Sequence, residues 1–479
     1  MPIDTISDIA FQLADSVKKL SFPNRLFLLL ATLFGFLIIQ IVPPLQAPDE
    51  GGHFVKAYAF SELQIQPQPQ SEDVGEKDQS TWGKYGFKVP YAILSMRSYA
   101  VDKNGKKEEY PYNNKEDDEK IKNGERVFFG TGGITNYYFV NYLPQIMGIS
   151  IGRVLGKPMV SQYYLARYCN LIAYILIVFF AILRFPFSKL GAAVLALNPM
   201  SLFLAASVSG DAMIIAVSFF FISWIFGLTK QEHVSDATLL ISGLLMVNLV
   251  LIKPNLIVLG LLFFTIPNKA FSIQRKAIWG FAILAACMLF YMLWNQLMID
   301  QQILYHDYGN PSKQLAAFFK DPSIFFDNLR KNYLFGAEGD HILYSSVGKF
   351  GKLDTSLGLH WIILYFTSVV VACMVQDKGN HFLIARQKLI VVLTMAAYVV
   401  LTFFALYQIW NEVGRTSTIE GLQGRYFLPV GLLIAAPFSS KKKILNIQKG
   451  KMNMILSACI LLVLIASMVV LATRYPSAA

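Results

Sequence analysis

Eleven apolar runs, most of them near the length that crosses a bilayer, recur along this chain and constrain it more than any other feature. They fall at roughly Leu26–Val42, Ala166–Leu183, Leu190–Ala206, Ala212–Gly227, Thr238–Ile252, Leu256–Pro267, Ala277–Met298, Leu357–Val375, Leu389–Tyr407, Tyr426–Phe438 and Met454–Thr473. Hydrocarbon offers the backbone no hydrogen-bond partner, so such runs fold as helices. The fifth and sixth, split at Lys253-Pro254, and the tenth are short and read as tilted or broken. Hydrophobic residues make up 54% of the 479 residues and charged residues 15%. A soluble chain carries about a quarter charged residues. There is too little polar side chain to cover an aqueous surface, which excludes a soluble or disordered protein. Cys169, Cys287, Cys373 and Cys459 lie in or beside apolar runs, without ligand or redox spacing, and read as small hydrophobes. The expected fold is an all-α polytopic membrane protein of about eleven transmembrane helices with two long outer loops.

The net charge of +11 invites a nucleic-acid reading, which the positions of the charges refute. With the N-terminus in the cytosol, the inner segments carry seventeen Lys and Arg against six acids, a difference equal to the whole net charge. The short outer segments hold only Lys253, Arg415, Arg425 and Arg474. Basicity therefore reports orientation and attraction to anionic inner-leaflet lipid. The first run reads as an uncleaved anchor, because its core of about seventeen residues exceeds a signal-peptide h-region. The expected organisation is a cytosolic amphipathic N-terminus (1–25), a first transmembrane helix (26–42) and a first outer loop with an interfacial helix (43–165). A transmembrane bundle (166–298), a second outer loop (299–356), a C-terminal bundle (357–473) and an outer tail (474–479) follow. The interfacial helix is expected in Tyr137–Gly156, where apolar residues recur at helical spacing. The stretch Ser71–Arg126 is open between a loop and a small ordered insertion. No internal repeat marks a transporter built from two related halves.

Chemistry concentrates at the outer surface. Pro43-Pro44 is followed by Asp49-Glu50-Gly51-Gly52-His53, two carboxylates and a histidine beside flexible backbone. That grouping suits general-base work or cation binding, and equally a turn cluster. Asp211 follows Ser209-Gly210 and either caps the next helix or brings a second acid to the same face. Lys253-Pro254-Asn255 places a cation in an apolar stretch, as a phosphate partner or a snorkelling side chain. Arg425 opens an apolar helix within Gly421-Leu422-Gln423-Gly424-Arg425-Tyr426-Phe427, where guanidinium suits phosphate or an interfacial anchor. Gly348–Thr355 adds Lys349, Lys352 and Asp354. The charge-derived topology puts Asp49, Glu50, His53, Asp211, Lys253, Asp354 and Arg425 on one face. Acids suit sugar hydroxyls and cations suit phosphate, so a polyprenyl-phosphate sugar fits the set. No Walker loop, Rossmann fingerprint, HExxH or GxSxG occurs.

These motifs, running from about residue 40 to 430, resemble a family of bacterial polytopic membrane proteins of unknown function, itself similar to the GT-C superfamily of integral-membrane glycosyltransferases. Gly51-Gly52 departs from the Glu-Pro or Pro-Ala more usual there, and leaves the carboxylate pair intact. The resemblance implies a GT-C fold in the bacterial inner membrane with its site facing the periplasm. It implies transfer of a sugar from a polyprenyl-phosphate donor to a glycan or lipid-linked glycan acceptor, such as O-antigen. Asp49 and Glu50 become the candidate catalytic residues, Asp49 as base. His53, Asp211, Lys253, Asp354, Gln423, Arg425 and Tyr426 become the candidate substrate contacts. No cofactor follows from the resemblance, and a divalent cation stays open because members of the superfamily differ on it. The alternatives from other classes are a transporter or flippase of lipid-linked sugar, and a structural subunit of an envelope-assembly complex.

Overall fold

The computed structural model describes residues 20–70, 84–96, 122–134, 137–298, 309–334, 336, 338–375, 382–415, 418–440 and 448–476. The N-terminal segment 1–19 and most of the stretch Ser71–Arg126 lie outside the described residues.

Apolar sequence becomes helix throughout. Helix α1 (Phe22–Ile41) opens with Pro23 in its first turn and stops one residue before Pro43-Pro44, which cannot continue it. After α2 (Glu50–Ser61) come the strands β1 (Gln68–Pro69), β2 (Tyr85–Pro90) and β3 (Arg126–Gly130). Next are α3 (Leu143–Val154) and α4 (Met159–Arg184). The third apolar run is broken into α5 (Lys189–Ala196) and α6 (Pro199–Ala205) by Asn198-Pro199. Asn198 caps α6 by accepting the N–H groups of Met200 and Ser201 at 2.8 and 3.2 Å. Helices α7 (Asp211–Leu228) and α8 (Asp236–Ile252) lead at Lys253 into a twelve-residue 3₁₀ helix, Pro254–Thr265. Helix α9 (Ile273–Leu297) precedes the second long connecting segment, with α10 (Pro311–Lys320), α11 (Ser323–Asn328), a π-helical turn (Leu329–Leu334) and α12 (Glu338–Val347). A ribbon of β4 (Lys349–Phe350) and β5 (Thr355–Ser356) leads to α13 (Leu359–Met374), α14 (Ala385–Trp410), a second twelve-residue 3₁₀ helix (Gly424–Ala435) and α15 (Lys449–Arg474).

Six of these helices, α1, α4, α7, α9, α14 and α15, are long and apolar enough to cross a membrane. Four shorter apolar ones are α8, α13 and the two 3₁₀ helices. The chain is thus mostly helical but not wholly so. Strands β1, β2 and β3 form an antiparallel sheet in that order, with Phe87 opposite Phe129 and Val89 opposite Val127. The alternation of buried Phe87 and Val89 with exposed Lys88 is the period-two pattern that makes a half-buried strand. It lies between α2 and α3, a small sheet in a chain that is otherwise mostly helical, consistent with the all-α expectation.

Helix α7 sits at the centre, buried on nearly every side, whereas α9 presents most of its apolar surface outward. Helix α4 begins seven residues earlier than its apolar run, at Met159 rather than Ala166. Its first turns are covered by α3, which approaches so closely that a Cβ on Gly148 would lie 2.5 Å from the Leu165 carbonyl oxygen. The opposite face of α3 leaves Leu143, Met147, Ile151, Val154 and Leu155 exposed.

Candidate functional site

Between α1 and α2 the chain turns through two non-glycine residues in the left-handed region, Leu45 (φ 64°) and Asp49 (φ 60°). Such backbone costs of order 1–2 kcal/mol per residue and persists only where its surroundings hold it. Helix α4 does the holding. Tyr163 Oη accepts the Leu45 N–H at 2.9 Å, and Arg167 donates to the carbonyls of Val42 and Pro43 at 2.6 and 2.8 Å. The same guanidinium pairs with Glu50 at 3.1 Å, and neither side chain has any exposure. Glu50 also accepts the backbone N–H groups of Ala47 and Val208, each at 2.9 Å. A fully enclosed, saturated carboxylate has no lone pair free for a substrate. Glu50 instead ties the turn between α1 and α2 to the segment just before α7, fixing Asp49 relative to Asp211.

Asp49 points away from that pocket. Although it is the first residue before α2, its side chain caps nothing in the helix. Arg425, at the start of the Gly424–Ala435 helix, reaches it through Nη2 at 3.1 Å and reaches Asp211 through Nη1 at 2.7 Å. Its Nε donates to Gln423 Oε1 at 2.7 Å. Residues from three distant parts of the sequence therefore share one guanidinium. The Arg425 side chain is 3% exposed and that of Asp211 12%, but Asp49 is 51% exposed. Asp49 is the open edge of the cluster. Tyr426 backs it: Lys253 Nζ lies 4.5 Å and Arg425 Cζ 5.4 Å from its ring centroid. Gly424 is required for this placement, since a Cβ there would lie 2.0 Å from the Ile342 carbonyl oxygen of α12.

One turn along α2 from Asp49, His53 is buried and its Nδ1 is 2.7 Å from the Tyr142 hydroxyl. Burial lowers its pKa below the ordinary histidine value; the charges of Asp211 and Asp49 oppose that shift, while Arg425 and Lys56 reinforce it. His53 therefore stands as neutral imidazole at neutral pH. Lys56, a turn further and fully buried, donates to the Ile134 carbonyl at 2.8 Å, and burial drives its pKa well below the usual lysine range.

Of the residues singled out from sequence, Asp49, Asp211, Gln423 and Arg425 form one bonded cluster, with Lys253 and Tyr426 against it. His53 is sealed beneath. Glu50, grouped with Asp49 as catalytic, lies apart from that cluster as a fully buried anion paired with Arg167. Asp354 bonds elsewhere: its carboxylate accepts from Arg474 at 2.8 Å, at the end of α15. The adjacent Tyr475 hydroxyl lies near enough to feel the charges of both Asp354 and Glu50. Arg167, Tyr142, Tyr163 and Lys56 were not singled out. Arg167 carried the same signal as Arg425, a guanidinium at the start of an apolar run. Among the described residues no three His, Cys, Asp or Glu side chains come together as a metal cluster.

A guanidinium held between two carboxylates, one of them open to solvent, can receive an oxyanion and present a base beside it. The chain matches, over residues 31–434, the family described as "Predicted membrane protein (DUF2142)", and it belongs to that family. No curated protein and no solved structure matches it.

Proposed function

We propose that this protein is a membrane-embedded glycosyltransferase of GT-C type, moving a sugar from a polyprenyl-phosphate donor such as undecaprenyl phosphate to a cell-envelope glycan. In this reading the chain crosses a bacterial inner membrane eleven times, with its N-terminus in the cytosol and the Arg425 cluster at the periplasmic surface. The observation that carries the proposal is the shared guanidinium: Asp49 and Asp211 both bond Arg425, and Asp49 alone remains half-exposed.

The donor phosphate would take the position of Asp49 on Arg425 Nη2, the longer of the two ion pairs. Asp211 would stay in place and keep the guanidinium aimed. Asp49, released, would remove the proton from an acceptor hydroxyl as that oxygen bonds to the anomeric carbon. The bond from that carbon to the phosphate oxygen breaks, and polyprenyl phosphate leaves with its charge held by Arg425 and Lys253. Stabilising a developing charge with fixed cations in a site shielded from water is usually the largest contribution to such catalysis. Attack opposite the leaving phosphate inverts the anomeric centre.

The test is reconstitution of the purified protein with a polyprenyl-phosphate hexose and a lipid-linked glycan, comparing wild type with Asp49→Asn. Transfer by wild type and its loss in the variant is the expected result. Transfer that survives the change would remove Asp49 from its role. Movement of the donor across vesicles without transfer would make the protein a flippase instead.

A further inference from the structure

We propose that Tyr137 is a substrate-contacting residue of the Asp49–Arg425 site, its ring lying against the hexose of a lipid phosphosugar, an inference that rests on the donor class proposed above. The contacts around the segment Tyr137–Tyr142 place it there. The Tyr137 ring meets that of His53 edge to face, with centroids 5.5 Å apart and planes at 86°, and His53 stands one turn along α2 from Asp49. Its hydroxyl lies near enough to Arg425 to act on the charge of the guanidinium that Asp49 and Asp211 share. The far end of the segment reaches the second carboxylate: a Cβ on Gly210, the residue before Asp211, would lie 3.5 Å from atoms of both Asn141 and Tyr142. Tyr137–Tyr142 thus runs as a strap from beside Asp49 to the residue before Asp211. The strap is anchored along its length. Tyr137 donates its N–H to the Ile134 carbonyl at 3.1 Å, the oxygen that also accepts from Lys56 at 2.8 Å. Tyr138 packs edge-on against Trp294 of α9, with centroids 4.8 Å apart, and Tyr142 is bonded to His53 at 2.7 Å. His53 and Lys56, buried and outside the transfer step, therefore acquire a task, which is to hold the strap. The Tyr137 side chain is half-buried. A pyranose carries an apolar face of C–H groups and a rim of hydroxyls, so a fixed aromatic ring with a polar tip suits it. With the donor phosphate on Arg425 Nη2, the attached hexose lies within a few bonds of the guanidinium, in reach of Tyr137.

Dissociation constants are measured on the full chain in detergent for undecaprenyl phosphate and for its glucosyl, galactosyl and mannosyl derivatives. In wild type at least one phosphosugar should bind about fivefold or more tighter than the bare lipid phosphate, the margin an aromatic contact supplies. Tyr137→Ala should remove that margin and leave binding of the bare lipid phosphate unchanged. Tyr137→Phe, which keeps the ring, should retain most of it. A wild type without the margin, or a margin that survives Tyr137→Ala, would overturn the assignment. So would an equal loss for sugar-bearing and bare lipids, the mark of a residue that only props the fold. A margin lost in Tyr137→Phe as fully as in Tyr137→Ala would overturn the ring contact and give the role to the hydroxyl. Should Tyr137→Ala fail to fold, wild type is nitrated with tetranitromethane and mapped by mass spectrometry. Protection of Tyr137 by the preferred phosphosugar beyond that given by the bare lipid supports the contact, and equal nitration with the two overturns it. Binding is read without acceptor. A margin that depends on Tyr137 in a protein that transfers nothing would refute the transferase and leave the sugar contact standing, whereas transfer with a margin indifferent to Tyr137 would do the opposite.

Discussion

Asp49 and Glu50 are neighbours in sequence with the same functional group, yet the fold gives them opposite surroundings. Glu50 lies in a closed pocket, paired with Arg167 and bonded by two backbone amides. Asp49 is half-exposed and meets its guanidinium at the rim. Both arginines are sealed, but the Arg167 pocket is complete in itself, and the Arg425 site has one side that opens to solvent. Of two adjacent carboxylates, one is thus enclosed against Arg167 and the other stands at an open rim beside Arg425, with left-handed backbone at Asp49 where they diverge.

That division is sharpened or broken by substituting one partner at a time. The largest effect is expected for Asp49→Asn, which should lower turnover by about 10²- to 10⁴-fold, the usual share of a general base. Asparagine tolerates left-handed backbone, so the melting temperature should hold; a collapse of both together would assign Asp49 to the frame. Glu50→Gln should do the reverse. It strands Arg167 as a buried charge at a cost of about 3–5 kcal/mol, read as a lowered melting temperature, with turnover per folded molecule largely retained. Loss of turnover at unchanged stability would return Glu50 to the chemistry. Tyr142→Phe removes the hydroxyl bonded to His53 and should cost about 0.5–1.5 kcal/mol, measured by the same thermal unfolding. The smallest effect is pH-dependent. Because burial lowers the His53 pKa, the unfolded chain binds a proton there more readily than the native one. The stability involved is fully present above about pH 6.5 and is lost as pH falls below it. Melting temperatures between pH 7.5 and 5.5 should therefore fall more steeply for wild type than for His53→Gln, and parallel curves would refute the assignment.

Hydrophobic patterning was enough to place nearly every apolar helix, because burial in hydrocarbon depends on composition and length. The convergence of Asp49, Asp211 and Arg425 was legible to the extent that charge asymmetry assigns each to one membrane face. The split between Asp49 and Glu50 was not, since it depends on which carboxylate Arg167 reaches, and Arg167 was hidden by an apolar run taken to begin at Ala166. The Arg474–Asp354 pairing was hidden for a related reason: Arg474 sits beyond the last apolar run, and no local pattern links it to the 348–355 turn. The sheet escaped because its strands are separated by more than thirty residues between Pro90 and Arg126, and period-two alternation over so few positions is weak.

The two twelve-residue 3₁₀ helices bear on how such chains are counted. A helix wound at three residues per turn climbs about 2.0 Å per residue rather than 1.5 Å. Twelve residues then reach about 24 Å, where an α-helix of equal length would stop near 18 Å. A hydropathy window of about nineteen residues passes over a segment this brief. A method that presumes α-helical pitch therefore underestimates how far such short apolar segments reach.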